Sequence, residues 1–489
     1  MQPLEVLSPT EIAAIHQASL HILAQTGVVL RHPAARLRLQ EAGALVAGER
    51  VRLPAELVEW ALAQTPQQVC LRGRGDQTTV LGDGSLHWHN LGGAAQIYDP
   101  LERAVRPALV KDLIAATRLL DALPGVNSIT AFFTPQDVPA QVMVLAMYRH
   151  TLPHTGKPIH GPGAQTAAEV RLLAAMAAVV GHPPEMLSMD ISPVSPLYFP
   201  DDVVEALIAS AEAGLPTGPL PCPTAGMTAP LSLAGAIAQQ NAEVLAAIVL
   251  LELTRPGLPI YYCGRLAMME PRSGVSVWGG VELGLASAGT VQIAHHYHLP
   301  VNVYGLSTNA LEMGLQNGYE RALNAILPAL AGADELSGIG ELSAGVTGAL
   351  AQMVVDDELT SVIGRARRGF HADADALAVE LVAEIMDGSR NYLDQAHTVR
   401  YLRAGELLVT RLAERGNWDE WDRRGRMDMV LRAQQRVDKL LSEADPLPLE
   451  APQERELDRI LNHAVQALPA VRLVHEFPPY GPRKSVTLS

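Results

Sequence analysis

Aromatic side chains make up only 4% of this 489-residue sequence, and just five of them are phenylalanine. The interior must therefore be filled by Ala, Leu, Val, Ile and Met, and a Tyr or Trp beside a strand end is more informative than usual. Cysteine is scarcer still. Cys70, Cys222 and Cys263 stand far apart, which excludes a disulfide framework and a CxxC zinc site and places the chain in the cytoplasm. Basic charge is in short supply, with a net charge of -15, so nucleic acid and an anionic membrane surface are poor partners. Long hydrophobic runs are missing as well. The longest near-continuous one, 242–253, contains Glu243 and Glu252 and falls short of the roughly 20 residues a bilayer needs. The first residues show neither the basic nor the apolar region of a signal peptide.

What is present is ordinary globular material, 48% apolar and 18% charged. Ser8-Pro9-Thr10-Glu11 is a capping box with Pro at the first helical position, and Gly27 is the natural stop for that helix. Further helices are expected from His32 to about Ala42 and from Pro54 to before Pro66. Four short apolar strands then open just after Pro184, Pro216, Pro259 and Pro300, each followed by small residues and a helical pattern. With further candidates at 86–90, 126–132, 157–160 and 335–341, the count reaches eight, the number that closes a parallel barrel. The expected architecture is an α/β chain: a helical cap over 1–80, a (β/α)8 TIM barrel over 81–370 and a helical extension over 371–489. In that extension helices are expected at 373–386, 398–415 and 427–444, before an extended arm over 471–489 that holds Pro478, Pro479 and Pro482.

Strand ends supply the candidate site. Trp88 lies between His87 and His89. Phe132 and Phe133 end the second strand, Tyr198 and Phe199 follow the fourth, Tyr261 and Tyr262 lie within the sixth, and Tyr304 ends the seventh. Arg265 follows the sixth strand, where a guanidinium can grip a carboxylate bidentately. His160 ends the third strand, Glu341 sits in the eighth-strand loop, and Asn302 is an amide inside an apolar strand that needs partners. His87 and His89 alternate on one strand and can be read as a zinc pair, and His295 and His298 share a helical face. Neither pair has an evident third ligand, and no bound metal is expected.

The stretch 226–243, Gly-Met-Thr-Ala-Pro-Leu-Ser-Leu-Ala-Gly-Ala-Ile-Ala-Gln-Gln-Asn-Ala-Glu, resembles the central signature of the trimethylamine/glycine-betaine methyltransferase family. Ser195-Pro196-Leu197, Gln316-Asn-Gly-Tyr-Glu320, 327–332, Val355-Asp-Asp-Glu358 and Arg52-Leu53-Pro54 are similar to other parts of it, and the likeness runs from about Leu7 to Leu468. The resemblance implies a (β/α)8 barrel whose mouth receives a methylated amine and the corrinoid (cobalamin) of a separate carrier protein. The trimethylamine members carry pyrrolysine in a barrel loop. Here the matching region, near 338–345, holds only standard residues, so the chain resembles the members that act on quaternary amines such as glycine betaine. It departs from the family at Thr308 and Gly314, where Asp is usual, and at Gln395-Ala396-His397-Thr398, where a His-x-His-Thr run is usual.

The implied reaction is in-line transfer of a methyl group from the amine to cobalt(I). A quaternary ammonium has no lone pair and no N–H, so aromatic faces and carboxylates must hold it. The leaving amine is neutral, so positioning and desolvation are needed rather than an acid. On this reading Glu341 and His160 are the catalytic candidates, and Trp88, Tyr198, Phe199, Tyr262, Arg265, Tyr304 and Asn302 bind the substrate. Gly226, Gly338, Gly340 and His397 meet the corrinoid, with the small segments 161–163, 224–226 and 338–340 making room for it. The carrier protein and a homo-oligomer are the expected partners, and the enzyme holds no tightly bound cofactor of its own. The alternatives are a barrel that binds a betaine without turnover and a zinc-dependent corrinoid methyltransferase.

Overall fold

A computed structural model describes residues 2–468 apart from 76, 162, 389 and 444–446. The expected arm over 471–489 and Pro162 lie outside the described residues. Eight strand segments form a closed parallel ring. These are β1 (His87–Asn90), β2 (128–129), β3 (159), β4 (Met189–Ile191), β5 (Thr217–Pro219), β6 (Tyr262–Gly264), β7 (Val301–Tyr304) and β8 (Glu335–Ile339). Parallel pairing runs from His89 to Ser128, Ile129 to Ile159, Ile159 to Leu187, β4 to β5, Thr217 to Ile260, β6 to β7 and β7 to β8, and β8 returns to β1. The barrel expected from the alternating pattern is therefore present, with its strands where the apolar segments place them.

Helices α1 (Val110–Ala122), α2 (Met143–Thr151), α3 (Ala167–Val180), α4 (Asp201–Ala213), α5 (Leu233–Thr254), α6 (Val281–His296), α7 (Leu315–Ala331) and α8 (Leu350–Arg368) follow the strands in turn. Helix α5 is the one helix among the described residues long and apolar enough to cross a membrane, and it is buried inside the fold. It packs against the helices Pro9–His21 and Ala55–Gln64. Its two interior acids are held by hydrogen bonds. Glu243 accepts from Ser195 Oγ at 2.7 Å and from the Leu197 N–H at 2.8 Å, and Glu252 accepts from Thr65 Oγ1 and the Gly257 N–H. A buried carboxylate is tolerable only with such donors. Here they also tie the 195–197 loop to the barrel.

The N-terminal helices form at Pro9–His21, Pro33–Glu41 and Ala55–Gln64, and Ser8 and Glu11 make the capping box. They are interleaved with short strands that the sequence pattern does not show. Val28–Leu30 pairs antiparallel with Arg50–Arg52 and parallel with Tyr198–Phe199. A second hairpin, Val69–Arg72 with Thr78–Leu81, packs Val69, Leu71 and Leu81 against Tyr261 and Cys263 and plugs the bottom of the barrel. In the extension, the helix expected over 398–415 is only Ala396–Arg403, since Gly405 turns the chain at φ +73°. The one expected over 373–386 is split at Ala378. Met429–Glu443 forms as expected, and Trp418–Arg423 and Ala451–Ala467 are additional.

Two glycines proposed as room for a macrocycle have a different occupation. Gly338 (φ +114°) is buried, and a Cβ there would stand 2.7 Å from the Leu306 carbonyl oxygen. Gly340 (φ +88°) is buried too, and its Cβ would meet Met353 and Phe132 at 2.8–3.0 Å. Both let β8 pack against its neighbours, and neither lines an open mouth. Gly338→Ala combines backbone strain with overpacking and is expected to cost about 3 kcal/mol, seen as a lower thermal midpoint. Gly163→Ala, whose Cβ meets nothing within 4 Å, serves as the control and leaves the midpoint unchanged. Equal midpoints for the two variants would return Gly338 to the mouth.

Candidate active site

Barrel interiors of this kind are commonly filled by branched apolar side chains. This one is polar. Alternation along each strand aims His89, His160, Asp190, Tyr261, Asn302 and Glu335 at a common centre, and most of them are fully buried. Asn302 links the set. Its Nδ2 lies 2.6 Å from Glu335 Oε2, 2.9 Å from His89 Nε2 and 3.0 Å from His160 Nε2. Its Oδ1 accepts from the Arg265 guanidinium, which also donates to the Asn302 carbonyl at 2.9 Å.

Charge is distributed to match. His160 Nε2 stands 2.5 Å from Glu335 Oε2. Burial works against the charged form of both. The Glu335 charge outweighs it at His160, whose pKa is raised. At Glu335, His160 and His89 and the hydrogen bonds outweigh it, and the carboxyl is held well below its usual range. His89 is pushed down to about 3, first by burial, and is neutral. Asp190 is half-buried above this layer. It accepts from Tyr261 OH at 2.6 Å, and the space around it exists because Gly218 has no side chain.

Nearer the mouth, the Arg265 guanidinium lies 4.4 Å from the centre of the Tyr304 ring, and Trp278 meets Tyr304 edge-on at 5.2 Å. Both aromatics are half-buried. Trp278 went unnoticed in the sequence because it follows a strand by a long loop. Arg265 is 2% exposed, and among the described residues no carboxylate lies within ion-pair distance of it. Glu341 lies beside this group. It accepts from Ser307 Oγ at 2.5 Å and from the Thr308 N–H at 3.1 Å, and burial pushes its carboxyl up to about 7.

Other expected site residues lie elsewhere. Tyr262 is on β6 but faces outward, donating its hydroxyl to Asn241 of α5; the strand period of two gives the lumen to Tyr261. Trp88 likewise faces outward, beside Thr360 and Arg367 of α8. Tyr198 and Phe199 pair with the N-terminal sheet, and Phe199 is buried there. His397 stacks on Tyr401 in the C-terminal extension, and its Nε2 lies 3.2 Å from the Asp375 carbonyl. His87 reaches down to the Val80 carbonyl of the plug, so it does not pair with His89. Gly226 remains exposed at the mouth. A hollow of about 750 Å³ at the opposite end, against His295, His298 and Asp334, is separate from the lumen.

A closed (β/α)8 barrel with a polar lumen beneath the C-terminal ends of its strands has the layout of a barrel enzyme. The family described as trimethylamine methyltransferase (MTTB) matches residues 1–468, and the chain belongs to that family. It is 30% identical over 451 residues to the trimethylamine methyltransferase of Desulfitobacterium hafniense, covering 90% of each chain. It is 27% identical to a glycine betaine methyltransferase of another strain of that species, covering 91% of this chain and 94% of the relative. Among solved structures, the monomethylamine methyltransferase of Methanosarcina barkeri matches with a TM-score of 0.53 at 12% identity, over 89% of this chain and 87% of that one. That likeness bears on the fold, which is again a barrel.

The raised Glu341 pKa has a consequence for stability. The unfolded carboxyl ionises near 4.5, while the folded one keeps its proton up to about 7. Glu341 therefore costs nothing below pH 4.5 and progressively destabilises the fold between pH 4.5 and 7, by about 3 kcal/mol in all. Glu341→Gln should be as stable as the parent at pH 4.5 and more stable at pH 7.5, as thermal melts would read. Parallel pH profiles for the two proteins would show that the folded and unfolded carboxyls titrate alike, with no upward shift at Glu341.

Proposed function

We propose that this chain is a methyltransferase that takes a methyl group from a carboxylate-bearing quaternary amine of the glycine betaine type and delivers it to the corrinoid of a carrier protein. One observation carries the choice of substrate. Arg265 is a buried guanidinium with no carboxylate within ion-pair distance among the described residues, set beside the half-buried aromatics Tyr304 and Trp278. A buried cation of this kind is strongly favoured by an anion that arrives with the ligand. Trimethylamine brings none. A betaine brings a carboxylate for Arg265 and an ammonium for the aromatic faces and Asp190.

The chain's own work is then to hold and orient. Asn302 fixes the Arg265 guanidinium, and Glu335 and His89 fix Asn302 in turn. Closure of the barrel below, by the Val69–Arg72 hairpin, keeps water from the ammonium. The leaving amine is neutral, so no proton has to move. The corrinoid supplies the nucleophile when its carrier docks. The rim fits such a ring in character: Val194, Met227, Leu231, Val275, Leu311 and Val346, all exposed, stand on the loops after five successive strands.

Calorimetry on the parent protein tests the reading. Glycine betaine should bind and choline, which keeps the trimethylammonium but lacks the carboxylate, should bind at least 100-fold more weakly, the scale of a lost charge-assisted pair. Arg265→Gln should lose betaine affinity to the same extent. Equal binding of the two ligands to the parent would overturn the role of Arg265. Failure of the betaine-loaded enzyme to methylate any reduced corrinoid carrier would overturn the reaction.

A further inference from the structure

The mechanism above uses the deepest layer of the lumen only as a support for Asn302, yet its geometry is that of a ligand set. His89 Nε2, His160 Nε2 and one oxygen of Glu335 come from β1, the end of β3 and β8, and all lie within 4.8 Å of one another. Each outer atom is held by a hydroxyl from a neighbouring strand. Thr130 Oγ1 lies 3.4 Å from His89 Nδ1, Ser188 Oγ lies 2.5 Å from His160 Nδ1, and Ser128 Oγ donates to Glu335 Oε1 at 2.9 Å. Outer partners of this kind fix the ring orientation of metal-ligating histidines and leave the inner lone pairs free to converge.

The point of convergence is itself occupied by a hydrogen-bond donor. It is the Asn302 amide nitrogen. Thr130 gives its hydrogen to the His160 carbonyl at 2.6 Å, so His89 Nδ1 is the donor toward Thr130 and His89 Nε2 offers a lone pair to the centre. The two amide hydrogens satisfy His89 and Glu335. His160 Nε2 already gives its proton to Glu335, so at 3.0 Å the amide faces it donor to donor. Each donor of this buried layer has an acceptor, but two donor nitrogens are held 3.0 Å apart, a repulsive contact that a cation bound by all three lone pairs relieves.

We propose that His89, His160 and Glu335 form a binding site for a first-row divalent metal ion, zinc(II) foremost. Two imidazoles and one carboxylate are a borderline donor set that suits zinc, and three protein ligands leave a further position open toward the lumen. The ion takes the place of the proton between His160 and Glu335, and the Asn302 side chain withdraws toward Arg265. This site differs from the His87–His89 pair that the sequence suggests, because His87 is committed to the plug. It requires no ligand at the mouth, so zinc uptake and betaine binding are read separately.

The test uses the full chain, stripped with a chelator, incubated with zinc chloride and desalted. Elemental analysis should give about one zinc per chain, and His89→Ala and Glu335→Gln should each fall below a tenth of that while keeping the parental circular dichroism. X-ray absorption at the zinc edge of the parent needs no variant and should show nitrogen and oxygen neighbours only. Zinc retained in full by both variants would overturn the site, as would sulfur in the coordination sphere or a folded parent that takes up no zinc.

Discussion

Everything in the lumen depends on the side-chain amide of Asn302. A closed barrel shuts its interior from water, so each buried charge must find its partner inside the ring or unfold it. Arg265, His160 and Glu335 are all in that position, and none could be satisfied by its own strand neighbours. Asn302 connects them because an amide can accept on one side and donate on the other. Gly218 makes room for the neighbouring Tyr261–Asp190 pair: a Cβ there would run into Tyr261, Asp190 and Cys263.

A second layer of polar constraint operates outside the barrel, and it accounts for the signatures seen in the sequence. In 226–243, Gln239 donates to the Thr228 carbonyl and to Glu243, Gln240 to Thr290, and Asn241 to Ser19 and Tyr297, while Glu243 holds the 195–197 loop. In 355–358 each acid anchors a different segment. Asp356 takes Arg321 and the Gly340 N–H, Asp357 takes the Gly125 N–H, and Glu358 takes the N–H groups of 411–413. The most recognisable parts of the chain are thus the fasteners of the scaffold. A resemblance carried by them speaks first for fold and only through it for chemistry.

The same division explains what could be read in advance. The strands were legible because a short apolar run after Pro, followed by small residues and a helical period, leaves little else for a chain to do. The N-terminal strands were not, since segments such as 28–30 and 45–47 are too short to show a period, and 28–30 gains part of its pairing from Tyr198–Phe199, far away in sequence. In the site, Asn302, Arg265, His160 and Tyr304 could be singled out, because a polar residue in an apolar strand or a guanidinium at its end is conspicuous. Tyr262 and Trp88 stand out in the sequence by type and position alone. Which face of a strand looks inward is a matter of parity, and a run such as Tyr261-Tyr262-Cys263, apolar on both faces, gives no clue to it. Asp190 and Glu335 escaped notice for a related reason: a single acid in a short strand gives no sign of which face it takes until the ring closes around it.

Under the proposed reaction the placement of charge also has a catalytic logic. The ammonium loses its positive charge as the methyl group leaves, so every favourable contact with that charge weakens on the way to the transition state. A site that bound the ammonium through a tight ion pair would hold the substrate and slow the transfer. The aromatic pair Tyr304 and Trp278 is a milder host, worth about 0.5–2 kcal/mol to a cation. Asp190, meanwhile, has one oxygen engaged by Tyr261. The substrate's carboxylate keeps its charge throughout, so binding energy invested there, through Arg265, is the same before and after transfer and positions the methyl group without opposing its departure. A buried arginine held by an amide, leaving its charge for the ligand, is the arrangement this division requires.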